Sequence, residues 1–100
     1  MAVKDKFSKM ILRNGRVFHI AVTHDNRDVE TLIQVRDQNN ELLATAKVCR
    51  LFYFTFEIYR NGKTNRGKRR LSKFTPDKEP RYYSTPVAAW LVDHHAPKLK

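Results

Sequence analysis

One hundred residues with a hydrophobic share of 41% and an aromatic share of 11% fit one globular domain, residues 1–100, and exclude both wholesale disorder and a second core. Twenty Lys/Arg against ten Asp/Glu leave a net charge of +10, which points to an anionic partner: nucleic acid first, an acidic protein second, a membrane surface third. No run approaches the ~18 apolar residues of a membrane span, so no membrane role is expected.

The opening residues lack the apolar centre of a secretion signal. The lone Cys49 has no partner for an intrachain disulfide or a two-cysteine metal knuckle. Its place in an alternating run reads as a small buried hydrophobe. Together these imply a reducing, intracellular setting: the cytoplasm, nucleoid or nucleus.

The dominant period along the chain is two. Ser8–Arg13 and Arg16–His24 flank Asn14-Gly15, the strongest short hairpin signal, because both turn residues tolerate positive φ. In the second arm Phe18, Ile20 and Val22 share one side. Val3, Phe7, Met10 and Ile11 also fall at helical spacing, so a helix over residues 3–12 rivals the strand over Lys9–Arg13, and Ala2–Phe7 fits either. After a polar turn at 24–28, Val29–Asp37 alternates with Val29, Thr31, Ile33 and Val35 on one side. Gln38-Asn39-Asn40 connects it to Glu41–Arg50, where Leu42, Ala44, Ala46 and Val48 share a side. The run 51–59 is the most strand-like of all, with Phe52, Phe54, Phe56 and Ile58 on its apolar face.

Residues 60–70 then place Arg60, Lys63, Arg66, Lys68, Arg69 and Arg70 in eleven positions without an acid. Between strand-like neighbours, with Leu71–Phe74 as the returning strand, this segment reads as a basic hairpin tip opened by Asn61-Gly62. Prolines at 76 and 80 break the following loop. Ser84 or Thr85 as N-cap and Pro86 at the first helical position start a helix over 85–96, ended by Pro97. Its stripe of Val87, Trp90, Leu91 and His94 is expected to lie on a sheet, with Trp90 and Leu91 meeting Phe54 and Phe56. The fold class is therefore α+β: an antiparallel sheet of about five or six strands built from hairpins, with one C-terminal helix packed on one face.

Charge is uneven along the chain. Residues 1–59 hold nine Lys/Arg against seven Asp/Glu, and residues 60–100 hold eleven against three. Each cation seated on a phosphate releases a condensed counterion, so the basic tip is the candidate phosphate grip, widened by Lys73, Lys78 and Arg81. Tyr53, Tyr59 and Tyr82 are the rings placed to stack a base. The expected nucleic-acid-binding set is Arg60, Lys63, Arg66, Lys68, Arg69, Arg70, Lys73, Arg81, Tyr59 and Tyr82.

No enzyme is expected, and neither a metal nor a cofactor. Asp93-His94-His95 echoes the acid-His-His strings of metal phosphoesterases, but cationic side chains at a helix C-terminus explain it as well. His24-Asp25 fits turn chemistry, and nothing in the spacing gathers His19, Cys49 and His94. Gly62 and Gly67 have Walker-like spacing, yet no helix follows and Lys68 precedes Arg69 rather than Ser or Thr.

The order strand, basic turn, strand, helix over residues 51–96 resembles the AP2-type and integrase arm-type DNA binders. There a small sheet enters the major groove and a helix braces its back. The resemblance is one of architecture and carries over no individual residues. The function expected is non-catalytic nucleic-acid binding through the basic hairpin loop, with duplex DNA ahead of RNA. The alternative is a protein-interaction module, such as a phage or mobile-element accessory factor. It would dock on an acidic protein partner or add a strand at an edge such as Val29–Val35. Free sheet edges leave a homodimer open.

Overall fold

The computed structural model describes residues 4–25, 30–49, 53–70 and 84–95. Six strands run in chain order: β1 (Lys4–Arg13), β2 (Arg16–Asp25), β3 (Glu30–Arg36), β4 (Leu42–Cys49), β5 (Tyr53–Arg60) and β6 (Lys63–Arg70). They form one open antiparallel sheet in the order β1-β2-β3-β4-β5-β6, so each strand pairs with its neighbour in sequence. One helix, α1 (Ser84–Asp93), follows. The α+β architecture read from the sequence is the one observed.

Two Asn-Gly turns set the hairpins. Asn14 (φ 55°) with Gly15 (φ 72°) closes β1–β2, and Asn61 (φ 53°) with Gly62 (φ 75°) closes β5–β6. Both central residues lie in the left-handed region, as a two-residue turn matched to strand twist requires. The β3–β4 connection is organised by Asp37, whose carboxylate accepts bonds from the backbone N–H groups of Asn39 (2.9 Å) and Glu41 (3.0 Å). Asn40, at φ 67°, turns the chain. A bulge follows, since Val35 pairs with Ala44 but Arg36 with Leu42. Leu43, expected on the outer side of the alternation, is thereby buried, while Leu42 is only half-buried.

Strand β1 settles the choice over residues 3–12. Lys4–Arg13 pairs along its whole length with β2, because the Asn14-Gly15 turn brings the segment beside a strand with a fully apolar face. A lone helix would have had no such partner.

Alternation sorts the side chains cleanly. Phe18, Ile20 and Val22 of β2, Thr31, Ile33 and Val35 of β3, Ala44, Ala46 and Val48 of β4, and Phe54 and Ile58 of β5 are buried beneath α1. The helix contributes Val87, Ala88, Leu91 and Val92 to that core. It packs on β2, β3 and β4. This buried set is rotated from the expected stripe, so that Trp90 and His94 flank it and reach towards β5. Trp90 meets Phe54 and Phe56 edge-on, with ring centroids 5.5 and 4.8 Å away. On the other flank Arg13 of β1 pairs with Asp93, offsetting a carboxylate that the helix C-terminus disfavours.

The helix is shorter than the expected 85–96. His94 and His95 donate their N–H groups to the carbonyls of Leu91 (3.2 Å) and Val92 (2.9 Å), tightening the last turn. Arg16 then takes the His95 carbonyl at 2.9 Å. Expectations for Cys49's side chain, Phe52, Leu71–Phe74, Lys78 and Pro97 lie outside the described residues.

Leu91 is fully buried, whereas Leu12 on the uncovered side of β1 is 72% exposed. Leu91→Ala should therefore lower unfolding free energy by about 3 kcal/mol, and Leu12→Ala by under about 0.5 kcal/mol. Urea denaturation checks both; equal losses would contradict the placement of the helix.

Candidate nucleic-acid interface

The basic segment is not a loop. Apart from Arg60, which ends β5, and the two-residue turn at Asn61-Gly62, it is strand β6, paired with β5 from Arg60↔Lys63 to Tyr53↔Arg70. Lys, Arg, Asn and Gly are weak strand formers. The adjoining apolar β5 and its tight turn supply the pairing that propensity does not. Gly67 faces Phe56, whose ring would lie 2.5 Å from a Cβ added there. The aromatic thus covers a gap in the edge strand.

The register divides the cations between the two sides of the sheet. Cross-strand partners share a face. Arg60, Lys63, Asn65, Gly67 and Arg69 fall on the helix side with Phe54, Phe56 and Ile58; Thr64, Arg66, Lys68 and Arg70 fall on the other with Tyr53, Thr55, Glu57 and Tyr59. The contacts agree. Arg69 lies over the Trp90 ring at 5.0 Å, and Lys68 over the Tyr53 ring at 4.8 Å. Arg66 faces Glu57 at 3.6 Å, and the Tyr59 hydroxyl donates to that carboxylate at 3.0 Å.

The side opposite the helix is uncovered by any described element. Here Arg66, Lys68 and Arg70 repeat every second residue, about 6.8 Å apart at the usual antiparallel rise. Lys47 of β4 belongs to the same surface through the row Lys47, Thr55, Lys68. Among the described residues of β4–β6, Glu57 is the sole carboxylate facing it. A shallow groove of about 310 Å³ runs across it, lined by Thr45, Lys47, Thr55, Glu57 and Arg66.

Of the expected set, Arg66, Lys68, Arg70 and Tyr59 therefore come together on the open face, while Arg60, Lys63 and Arg69 lie behind it. Lys73, Arg81 and Tyr82 lie outside the described residues. Lys47 was not singled out by the sequence. Its parity against Ala46 and Val48 marks it as outward-facing, but only the register of three strands places it beside Lys68.

Other expectations change with the topology. Glu30–Val35 is not an edge: β3 is hydrogen-bonded to β2 and to β4, and among the described residues the free edges are β1 and β6. Residues 51–96 are not a self-contained sheet-and-helix unit either, since α1 rests on β2–β4, which lie entirely outside that segment. His19 is exposed and alternates with buried Phe18 and Ile20. It is on the opposite side of the sheet from His94, so the two do not meet. Among the described residues no three His, Cys, Asp or Glu side chains are placed to hold a metal. No helix among them is long and apolar enough to cross a membrane.

The two helix-end histidines are held below their usual range. For His94 burial is the main cause, followed by the positive charges of Arg60 and Arg69. For His95 burial again leads, against a raising hydrogen bond to the Leu43 carbonyl, with Arg60, Arg16 and His94 lowering it further. That bond is 3.0 Å long. Since a carbonyl only accepts, His95 Nε2 carries the proton.

Comparison with protein-family models, curated proteins and solved structures found no match.

A histidine whose native pKa is depressed leaves the unfolded chain to take up protons first. Stability is fully present above the unfolded value of about 6.5 and declines as pH falls through it. In phosphate-free buffer the denaturation midpoint should be lower at about pH 5.5 than at about pH 7.5. His95→Gln, which keeps a donor for Leu43, should shrink that difference. An unchanged difference in the variant, or stability that rises on acidification, would contradict the assignment.

Proposed function

We propose that the chain is a non-catalytic nucleic-acid-binding protein that seats the sugar–phosphate backbone on the open face of its sheet. The observation that carries this reading is the alignment of Arg66, Lys68 and Arg70 on one side of β6, with Lys47 beside them and one carboxylate among them. A regular row of cations on a surface that no described element covers matches a regular row of phosphates.

The expectation of duplex DNA rested on a projecting loop that could enter a groove. With the cations on a strand at the sheet's edge, a single strand of DNA or RNA fits better. Tyr53 and Tyr59 lie half-buried on the same face as the cations, and sheet surfaces that interleave rings with cations suit unpaired bases. An intracellular, nucleic-acid-rich compartment accords with this role.

The free edge of β1 favours a second reading, in which a partner strand adds there. Met10 and Leu12 are 69% and 72% exposed along it, so addition at β1 would cover apolar surface as well as unpaired backbone.

Binding of a fluorescent single-stranded oligonucleotide, titrated with salt, tests the first reading. Four phosphate contacts give a slope of log K against log salt near −2.8, and Lys68→Glu with Arg70→Glu should halve it or more, to about −1.4 or shallower. Glu57→Gln should strengthen binding by removing the opposing charge. A wild-type chain that fails to bind, or a slope indifferent to the double reversal, would overturn the reading. Strand addition at β1 would survive that double reversal.

A further inference from the structure

Behind the open face, where the β5–β6 turn meets the end of α1, lies a pocket of about 380 Å³. Its walls are Arg60, Asn61, Lys63, Thr64, Asn65 and His94, over Ile58. Its volume is at the small end of ligand sites. Two permanent cations, two side-chain amides and an imidazole converge on it, with no carboxylate among the lining residues. Among the described residues neither Arg60 nor Lys63 forms an ion pair, in contrast to Arg13 and Arg66, which do.

We propose that this pocket binds a phosphate monoester group, with Arg60 supplying a guanidinium fork, Lys63 a point charge and the Asn65 amide a neutral donor. Two features favour a monoester over the diester of a continuous strand. A terminal phosphate carries up to two negative charges, matching the two cations. Its oxygens suit the planar fork and the ammonium together.

His94 makes the site sensitive to pH. The charged groups around it are Arg60 on β5, Lys63 and Arg69 on β6, Asp93 at the end of α1 and His95 in the turn that follows; Asp93 is engaged by Arg13 on the far flank. The imidazole packs edge-on against Trp90, centroids 4.5 Å apart. In the free protein it is held below its usual range by burial and then by Arg60 and Arg69. A bound dianion opposes that positive field, so phosphate and a proton on His94 favour one another.

The site lies on the opposite side of the sheet from Arg66, Lys68 and Arg70 and does not depend on their role. The shared chemistry is the monoester, and its source is either a free phosphorylated small molecule or the end of a nucleic-acid strand. The test is NMR titration of the whole chain with inorganic phosphate, with 5′-AMP, and with short oligonucleotides bearing either a 5′-phosphate or a 5′-hydroxyl. Inorganic phosphate at about 10 mM, above the millimolar dissociation constant of a weak site, should shift the Asn65 amide and raise the His94 titration midpoint. The Arg60→Gln/Lys63→Gln variant should lose at least about tenfold in affinity while keeping the wild-type fold by its spectrum. Lys68→Glu/Arg70→Glu should bind phosphate as the wild type does, even if oligonucleotide binding is gone. A preference for the 5′-phosphorylated oligonucleotide over its 5′-hydroxyl twin assigns the site to strand ends, and a preference for 5′-AMP over both assigns it to small molecules. No shift with either phosphate probe, or equal binding by the Arg60/Lys63 variant, would overturn the proposal.

Discussion

The positive φ angles of Asn61 and Gly62 hold the registration of β6 against β5, and the surface chemistry of the protein depends on that registration. Side chains in a strand alternate with a period of two, so a slip of one residue would carry every cation of β6 to the opposite face. In the observed register Gly67 falls against Phe56, the position where a side chain would meet the ring. A slipped pairing would place Arg66 or Lys68 there instead. The turn and the glycine specify the same alignment from two ends of the hairpin.

That alignment gives the sheet two unlike sides. One is closed by α1, whose Val87, Ala88, Leu91 and Val92 complete the core. Its flanks are tied to β5 by Trp90 against Phe54 and Phe56 and to β1 by Asp93 with Arg13. The other side is uncovered by any described element and is cationic along β6. Like charges repeating at about 6.8 Å repel by about 0.6 kcal/mol per neighbouring pair even in water. Among the described residues Arg66 alone of this row meets a carboxylate, and at 73% side-chain exposure that contact is worth little. A row that costs the folded state energy, and that the described residues leave largely unneutralised, is what an external polyanion would relieve.

Much of the fold was legible in the sequence because its signals are local. Asn-Gly pairs need no tertiary context to favour a hairpin, and the alternation at Phe18–Val22 and Ile33–Val35 marks strands by itself. The approach of Trp90 to Phe54 and Phe56 followed from two apolar stripes seeking one another. What the sequence hid was non-local. The residues of β6 read as a loop because, Thr64 apart, little in Lys63–Arg70 favours a strand except the partner beside it. The bulge that buries Leu43 arises from the Asp37-centred loop. The centrality of β3, the lateral position of Lys47 and the pocket joining Arg60 and Lys63 to His94 all come from pairing order, which composition and spacing do not encode.

The most direct measurement compares two variants that each remove three cations from the same hairpin. One is Arg66→Gln/Lys68→Gln/Arg70→Gln and the other Arg60→Gln/Lys63→Gln/Arg69→Gln, both titrated with salt against a 5′-hydroxyl single strand. If binding belongs to the open face, the first variant should lose about two units of salt slope and the second should keep nearly all of it. Equal losses would show that charge alone, and not the face on which the register displays it, governs binding.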